Sequence, residues 1–335
     1  MPRQFRKTRL TEAGPSAHEI ELTTYHDMNL EFNKLTYPSL QEFIANEKEI
    51  SGSLYGKRMD FAHPIDSGII KAMEATHVQK AMNKLADLLV NIESGQEIST
   101  GIVIDANNFP EIFSILRHCC KTLGISIPHG VVSARMPGIN AYASGTVDNP
   151  YLLICDLSTH LLTNEELTFI IGHECGHLAM EHLVYHMIGR QLAQLSTLIP
   201  VVGPMLMQVV NIPLSTWSRY SEITADRAGL LCCGDIRVAQ RALMKLESAF
   251  ANVSNVDLDT YIDQSLESLE NMKLGAMGEI MLSHPLTPKR LKALQYFTES
   301  RMYYSLTGKE VPAGTAPYSD EVLREKVNAL LTVFK

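Results

Sequence analysis

The sequence predicts an α+β chain, mainly α, in which a small sheet precedes a set of helices. Short β-prone runs with Gly and Asn-Pro punctuation fall around Gly101–Ile104, Gly130–Ser133, Asn140–Ser144 and Tyr151–Cys155. After Thr163 the apolar spacing is helical almost throughout. There is no internal repeat and no low-complexity tract.

In chain order, residues 1–67 read as a polar N-terminal extension, interrupted by proline at 2, 15, 38 and 64. An amphipathic helix is expected from about Ser67 to Glu93. A second runs from Pro110, a first-turn proline, to about Leu123. Thr163 and Glu166 have the spacing of a capping box, and Leu162 and Leu167 stand at the two positions of a hydrophobic staple. A helix therefore opens at Thr163, and no proline interrupts it before Pro200. Gly308–Pro317 reads as a loop, and a short helix from Ser319 to about Phe334 closes a C-terminal tail, 301–335, that packs back on the main unit over 68–300.

Composition narrows the function classes. Apolar residues make up 45% and charged residues 20%, the balance of a globular protein. A formal charge of −8 without a basic cluster argues against nucleic acid as a partner. The polar start of the chain has no apolar signal region. Cys119-Cys120 and Cys232-Cys233 are neighbours on predicted helices, poorly placed to bridge, and no Cys-x-x-Cys occurs. A cytoplasmic location follows. Gln191 to Ser218 carries no charge, yet Pro200, Gly203, Pro204 and Pro213 should break any helix there. A buried or lid-forming hairpin is the favoured reading of 191–218; peripheral membrane or partner contact ranks second and a true span last.

His173-Glu174-Cys175-Gly176-His177 carries the chemistry. Helical residues advance by roughly 100°, so His173 and His177 share a face and can offer two imidazole nitrogens to one metal ion. Glu174 stands beside that face, where a general base can take a proton from water. The bland alternative is a pair of solvated histidines on a surface helix. Gly172 and Gly176 each cost the helix about 1 kcal/mol against alanine, which close packing by another element would offset. Cys175 points away from the metal face. His182 and His186 fall on the far side of the same helix, without a glutamate after His182, and read as surface or packing residues.

A catalytic zinc usually has three protein ligands and one open position. Glu222 and Asp226, four apart on a later helix kept slim by Ala225, Ala228 and Gly229, can complete the set. Glu222 would be the third ligand. Asp226 would accept the non-ligating N–H of a ligand histidine, His173.

Together these motifs resemble the HtpX and CAAX-prenyl-protease family of zinc metallopeptidases, a glutamate-ligand branch of the zincins. The resemblance extends to Ser218-Arg219 ahead of Glu222, Asn140-Ala141-Tyr142-Ala143, the segment Leu157–Glu166, and Ser283-His284-Pro285 with Arg290. It spans about 68–298. It implies a zincin-type catalytic domain, one Zn2+ per chain, and endopeptidase action on protein or peptide substrates in a quality-control setting. Water activated by the metal would be deprotonated by Glu174. Asn140, Ala141, Tyr142 and Ala143 would form the edge strand along which an extended substrate lies. His284 would stabilise the oxyanion, or else cap a turn; Arg219 and Arg290 are either donors to it or ion-pair partners. A catalytically latent binding or chaperone module, and a hydrolase of a non-peptide bond, are the alternatives. Cys175, where a larger apolar residue is usual, and the lack of clear membrane helices are departures from the family pattern.

Overall fold

The computed structural model describes residues 60–66, 100–145, 150–183, 203–250, 252–271 and 284–332, without the side chains of 203–216. The expected helix over Ser67–Glu93, most of the N-terminal extension, residues 191–202, His186 and Ser283 lie outside these residues.

The order is β1 (Ile102–Val103), α1 (Pro110–Leu123), β2 (His129–Ser133), β3 (Ala141–Gly145), β4 (Pro150–Cys155), α2 (Asp156–Leu161), α3 (Asn164–Ala179), α4 (Gly203–Cys233), α5 (Ile236–Ser248), α6 (Leu258–Asn271), α7 (Thr287–Thr298), α8 (Arg301–Thr307) and α9 (Asp320–Leu331). Four strands form one sheet in the order β1-β2-β4-β3. β2 and β4 run parallel, and the two outer pairs are antiparallel. The fold is α+β: mainly helical, with a small mixed sheet.

β3 ends the sheet, one side bonded to β4 and the other turned toward α3. Its register pairs Ala141 with Ile154 and Tyr142 with Leu153. The buried faces of α1, α3, α4 and the sheet share one core, with Leu116, Leu152, Ile154, Phe169 and Ile171 out of contact with solvent. Phe61 and Ala62 join that core from the end of the polar extension, as do Leu323, Val327 and Leu331 of α9 from the tail. Both flanks of 68–300 thus help to bury its interior.

α3 opens on the capping box: Thr163 Oγ1 accepts from Glu166 N–H at 3.3 Å, and Glu166 Oε2 from Thr163 N–H at 3.0 Å. Lys245 also reaches Glu166 Oε2, at 2.7 Å. The helix stops at Ala179, well short of Pro200. Glu181 takes a left-handed φ of 56°, which costs roughly 1–2 kcal/mol for a residue with a Cβ and turns the chain back on itself.

α4 differs from expectation the other way. It runs unbroken through Pro204 and Pro213, the first in the opening turn, where a missing N–H costs nothing. Pro213 gives up one backbone bond inside a 31-residue helix whose later half is held by packing. Among the described residues no helix is long and apolar enough to cross a membrane.

Candidate metal centre

α3 and α4 meet where glycines of one face small side chains or glycine of the other. A Cβ on Gly172 would lie 2.7 Å from Cys232 Cβ, and one on Gly176 would lie 2.7 Å from Ala228 Cβ. On α4, a Cβ on Gly229 would meet Phe169 O at 2.7 Å. Backbones at that separation bring Glu222, on α4, to the histidine face of α3.

His173, His177 and Glu222 are all buried, and one ligand atom from each lies within 4.8 Å of the others. His173 Nε2 and His177 Nε2 are 3.1 Å apart. Glu222 Oε2 is 3.5 Å from His173 Nε2, and Glu222 Oε1 is 3.5 Å from His177 Nε2. With metal–ligand bonds of about 2.0–2.1 Å, donors on a tetrahedral zinc stand roughly 3.3 Å apart; the two imidazoles meet that spacing and each has one Glu222 oxygen near it, so the residue types and their convergence suit such an ion. Glu222 Oε2 is buried and accepts no hydrogen bond.

The carboxylate partner of the His173 ring fixes where its lone pair points. Asp226 Oδ1 lies 3.0 Å from His173 Nδ1, which must carry the proton, leaving Nε2 as a donor toward the cluster. His177 Nδ1 lies 2.8 Å from His182 Nδ1. With lone pairs on both Nε2 atoms the 3.1 Å separation would be repulsive unless a cation lay between them, and that pair of tautomers suits a bound ion.

Arg290 carries the compensating charge. It donates to Asp226 through Nε at 2.9 Å and Nη2 at 2.7 Å, and to Glu247 through Nη1 at 2.6 Å. Its Nη2 lies 3.2 Å from Glu222 Oε2. Burial alone would raise both carboxyls, yet Glu222, beside His284 and Arg290, stays well below the usual range, and Asp226, gripped by Arg290 and His173, also stays low. Arg290 is therefore an ion-pair partner deep in the wall.

Glu174 differs. Burial pushes its carboxyl up to about 7, against the pull of His173 and of the Ala143 amide, which donates to Oε2 at 2.7 Å. That bond shows the geometry of β3. Ala143 turns its N–H from β4 toward α3, so by strand alternation Ala141 faces the same open edge. Asn140 and Tyr142 face inward: Asn140 exchanges bonds with Ser158 Oγ at 2.8 Å and accepts from Cys155 N–H at 2.9 Å.

His284 reaches the cluster from the segment before α7, its Nδ1 3.0 Å from Glu222 Oε1 and its side chain 54% exposed. Glu222 raises its pKa. Arg219, three residues before Glu222 on α4, is buried. Cys175 lies in the core, where the Cys120 thiol and burial push its own thiol well up.

His182 does not lie on the far side of the helix. The turn at Glu181 carries it off the helix and into the interior, fully buried against His177. Its Nε2 lies 3.0 Å from Asp66 Oδ2, whose other oxygen accepts from Trp217 Nε1 at 2.9 Å. No spacing rule reaches Asp66, because the bond joins residues 116 apart. The i+5 offset of His182 from His177 was its one sequence cue, and it counts only once the helix is known to end.

The family model for Peptidase family M48 matches residues 106–298. The chain is 26% identical over 258 residues to "Plastoglobule-localized metallopeptidase 48, chloroplastic" of Arabidopsis thaliana, covering 74% of each chain. Proteins named "Protease HtpX homolog" also match. That of Halobacterium salinarum is 22% identical, over 57% of this chain and 79% of its own. That of Archaeoglobus fulgidus is 24% identical, over 54% and 66%. No solved structure matches the chain. The family match spans more than half of the sequence and takes in every residue of the histidine–glutamate cluster, so the chain belongs to Peptidase family M48, as an HtpX-like metal-dependent peptidase.

Proposed function

We propose that His173, His177 and Glu222 hold one zinc ion and that the chain is an endopeptidase with Glu174 as general base. The observation that carries this reading is the convergence of three buried donors: the two Nε2 atoms stand 3.1 Å apart, each lies 3.5 Å from one of the two Glu222 oxygens, and one ligand atom from each residue lies within 4.8 Å of the others. Zinc bound there supplies Lewis acidity toward the scissile carbonyl and its attacking water. Glu174 takes the proton from that water and delivers it to the leaving amine. The Ala143 amide keeps its carboxylate aimed while the proton moves.

Substrate lies extended along β3, bonded to the edge-facing main chain of Ala141 and to the Ala143 carbonyl, the Ala143 N–H being held by Glu174. His284 spends Nδ1 on Glu222, so oxyanion stabilisation falls to its Nε2. The HExxH helix, its flanking edge strand and a following glutamate helix support a zincin-type reading of the catalytic unit. Unfolded proteins, and with them quality control, are the substrate class that the family resemblance suggests.

The test is zinc content and casein cleavage measured together, in wild type and Glu174→Gln. Stoichiometric zinc in both, with cleavage in the wild type only, is the expected result. Absence of zinc from the wild type removes the ligand assignment. Zinc without cleavage in the wild type favours a latent or binding role.

A further inference from the structure

The two histidines of the cluster are anchored differently. His173 meets a carboxylate directly, at Asp226. His177 meets another ring, His182, and the carboxylate of Asp66 comes only behind it. His182 and Asp66 are fully buried, so neither hydrogen bond competes with solvent.

We propose that His182 and Asp66 are positioning residues that set the tautomer and orientation of the His177 ring, with Trp217 holding the carboxylate in place. The proton count leaves one neutral assignment. Asp66 can only accept, so His182 Nε2 carries hydrogen and donates to Oδ2. A neutral imidazole then has a lone pair on Nδ1. His177 must place its own hydrogen on Nδ1 to fill the 2.8 Å contact, which leaves His177 Nε2 as a lone pair facing His173 Nε2 and Glu222. The opposite tautomer of His182 would set its Nε2 lone pair against the Asp66 carboxylate, and His177, accepting at Nδ1, would turn an N–H toward the cluster in place of its lone pair.

The architecture serves this contact. Glu181 accepts an unfavourable φ, and the result is to bring His182 under the end of α3. Trp217 donates to Asp66 Oδ1 from the same helix that supplies Glu222, one turn and a little earlier, and its ring meets His182 edge-on at 5.5 Å. The His177 and His182 rings are themselves tilted by 66° with centroids 5.0 Å apart, so neither can rotate without displacing the other. The chain of bonds therefore ties the 60–66 segment, the end of α3 and the middle of α4 to one ring nitrogen.

The proposal rests on His177 being a metal ligand. It is tested on the full-length protein by zinc affinity, by the d–d spectrum of the cobalt-substituted form, and by nitrogen shifts of the histidine rings in zinc-loaded wild type. His182→Phe and Asp66→Asn should each weaken zinc roughly ten- to a hundredfold and alter the cobalt spectrum. His182→Gln, whose amide can donate to Asp66 and accept from His177, should recover most of that loss. Unchanged affinity and spectrum in folded His182→Phe and Asp66→Asn would overturn the proposal. So would a His182 ring protonated on Nδ1 in the wild type, a readout that needs no variant to fold. Wild-type protein that takes up no zinc would instead overturn the ligand reading beneath it.

Discussion

Gly176 and Ala228 approach so closely that one added methyl group would close the gap: a Cβ on Gly176 would stand 2.7 Å from Ala228 Cβ and 3.1 Å from Ala225 Cα. Gly176→Ala gains about 1 kcal/mol in helix propensity but must push α4 away, and overpacking at a backbone contact costs roughly 1–3 kcal/mol. The net result should be lower stability and weaker zinc binding, because Glu222 moves with α4. Adding Ala228→Gly should restore part of both. Chemical denaturation and zinc titration of the two single variants and the double variant give the coupling.

Arg290 is the cation on which two buried carboxylates depend. Arg290→Met should destabilise the fold by roughly 3–5 kcal/mol, since Asp226 and Glu222 are left with uncompensated charge. Arg290→Lys should recover only a fraction, because an ammonium cannot reach Asp226 by two bonds while also holding Glu247. Urea midpoints of the three proteins decide it.

His63 is stacked on Tyr220 at 4.6 Å, and burial, aided by Arg227 and opposed by Asp66, lowers its pKa from 6.5 to about 3. Folded protein keeps it neutral where the unfolded chain takes up a proton, so stability is lost as pH falls from 6.5 toward 3. At pH 4 the loss from this one group is on the order of 3 kcal/mol. His63→Phe keeps the stack and should flatten the pH dependence of the urea midpoint by that amount; an unchanged slope would assign the acid sensitivity elsewhere.

The direction of Ala143 N–H makes the substrate edge testable by alternation. Along one extended peptide, N-methylation at the residues whose amides meet β3 should slow cleavage roughly tenfold per lost bond, and methylation at the intervening residues should not. A uniform response would remove β3 as the substrate edge. Proline at Tyr142 is a poor probe, because that residue faces β4 and its loss would break the sheet itself.

His284→Ala should lower kcat while zinc is retained, measured as single-turnover cleavage beside metal content. Equal rates would restrict His284 to its bond with Glu222.

What could be read along the chain were features that depend on residues a few positions apart. The capping box of Thr163 and Glu166, the four strands, and the α1 span from Pro110 to Leu123 are set by local hydrogen bonding and periodicity, and they stand where the spacing put them. His173 with His177, and Glu222 with Asp226, were legible as pairs because four residues make just over one helical turn. The glycines of α3 and small residues of α4 marked a close approach before either helix had a partner.

The rest needed the fold. That His182 belongs with the cluster follows from a helix ending at Ala179 and a left-handed Glu181, where local propensity alone favoured continuation. That Pro213 lies within a helix follows from tertiary packing outweighing one lost backbone bond. By itself the sequence determined which side chains could share a helical face and what chemistry they offer. Tertiary structure alone decided which faces meet: Asp66 reaches His182 across 116 residues and Arg290 reaches Asp226 across 64, because burying a charge requires a partner wherever the chain can bring one.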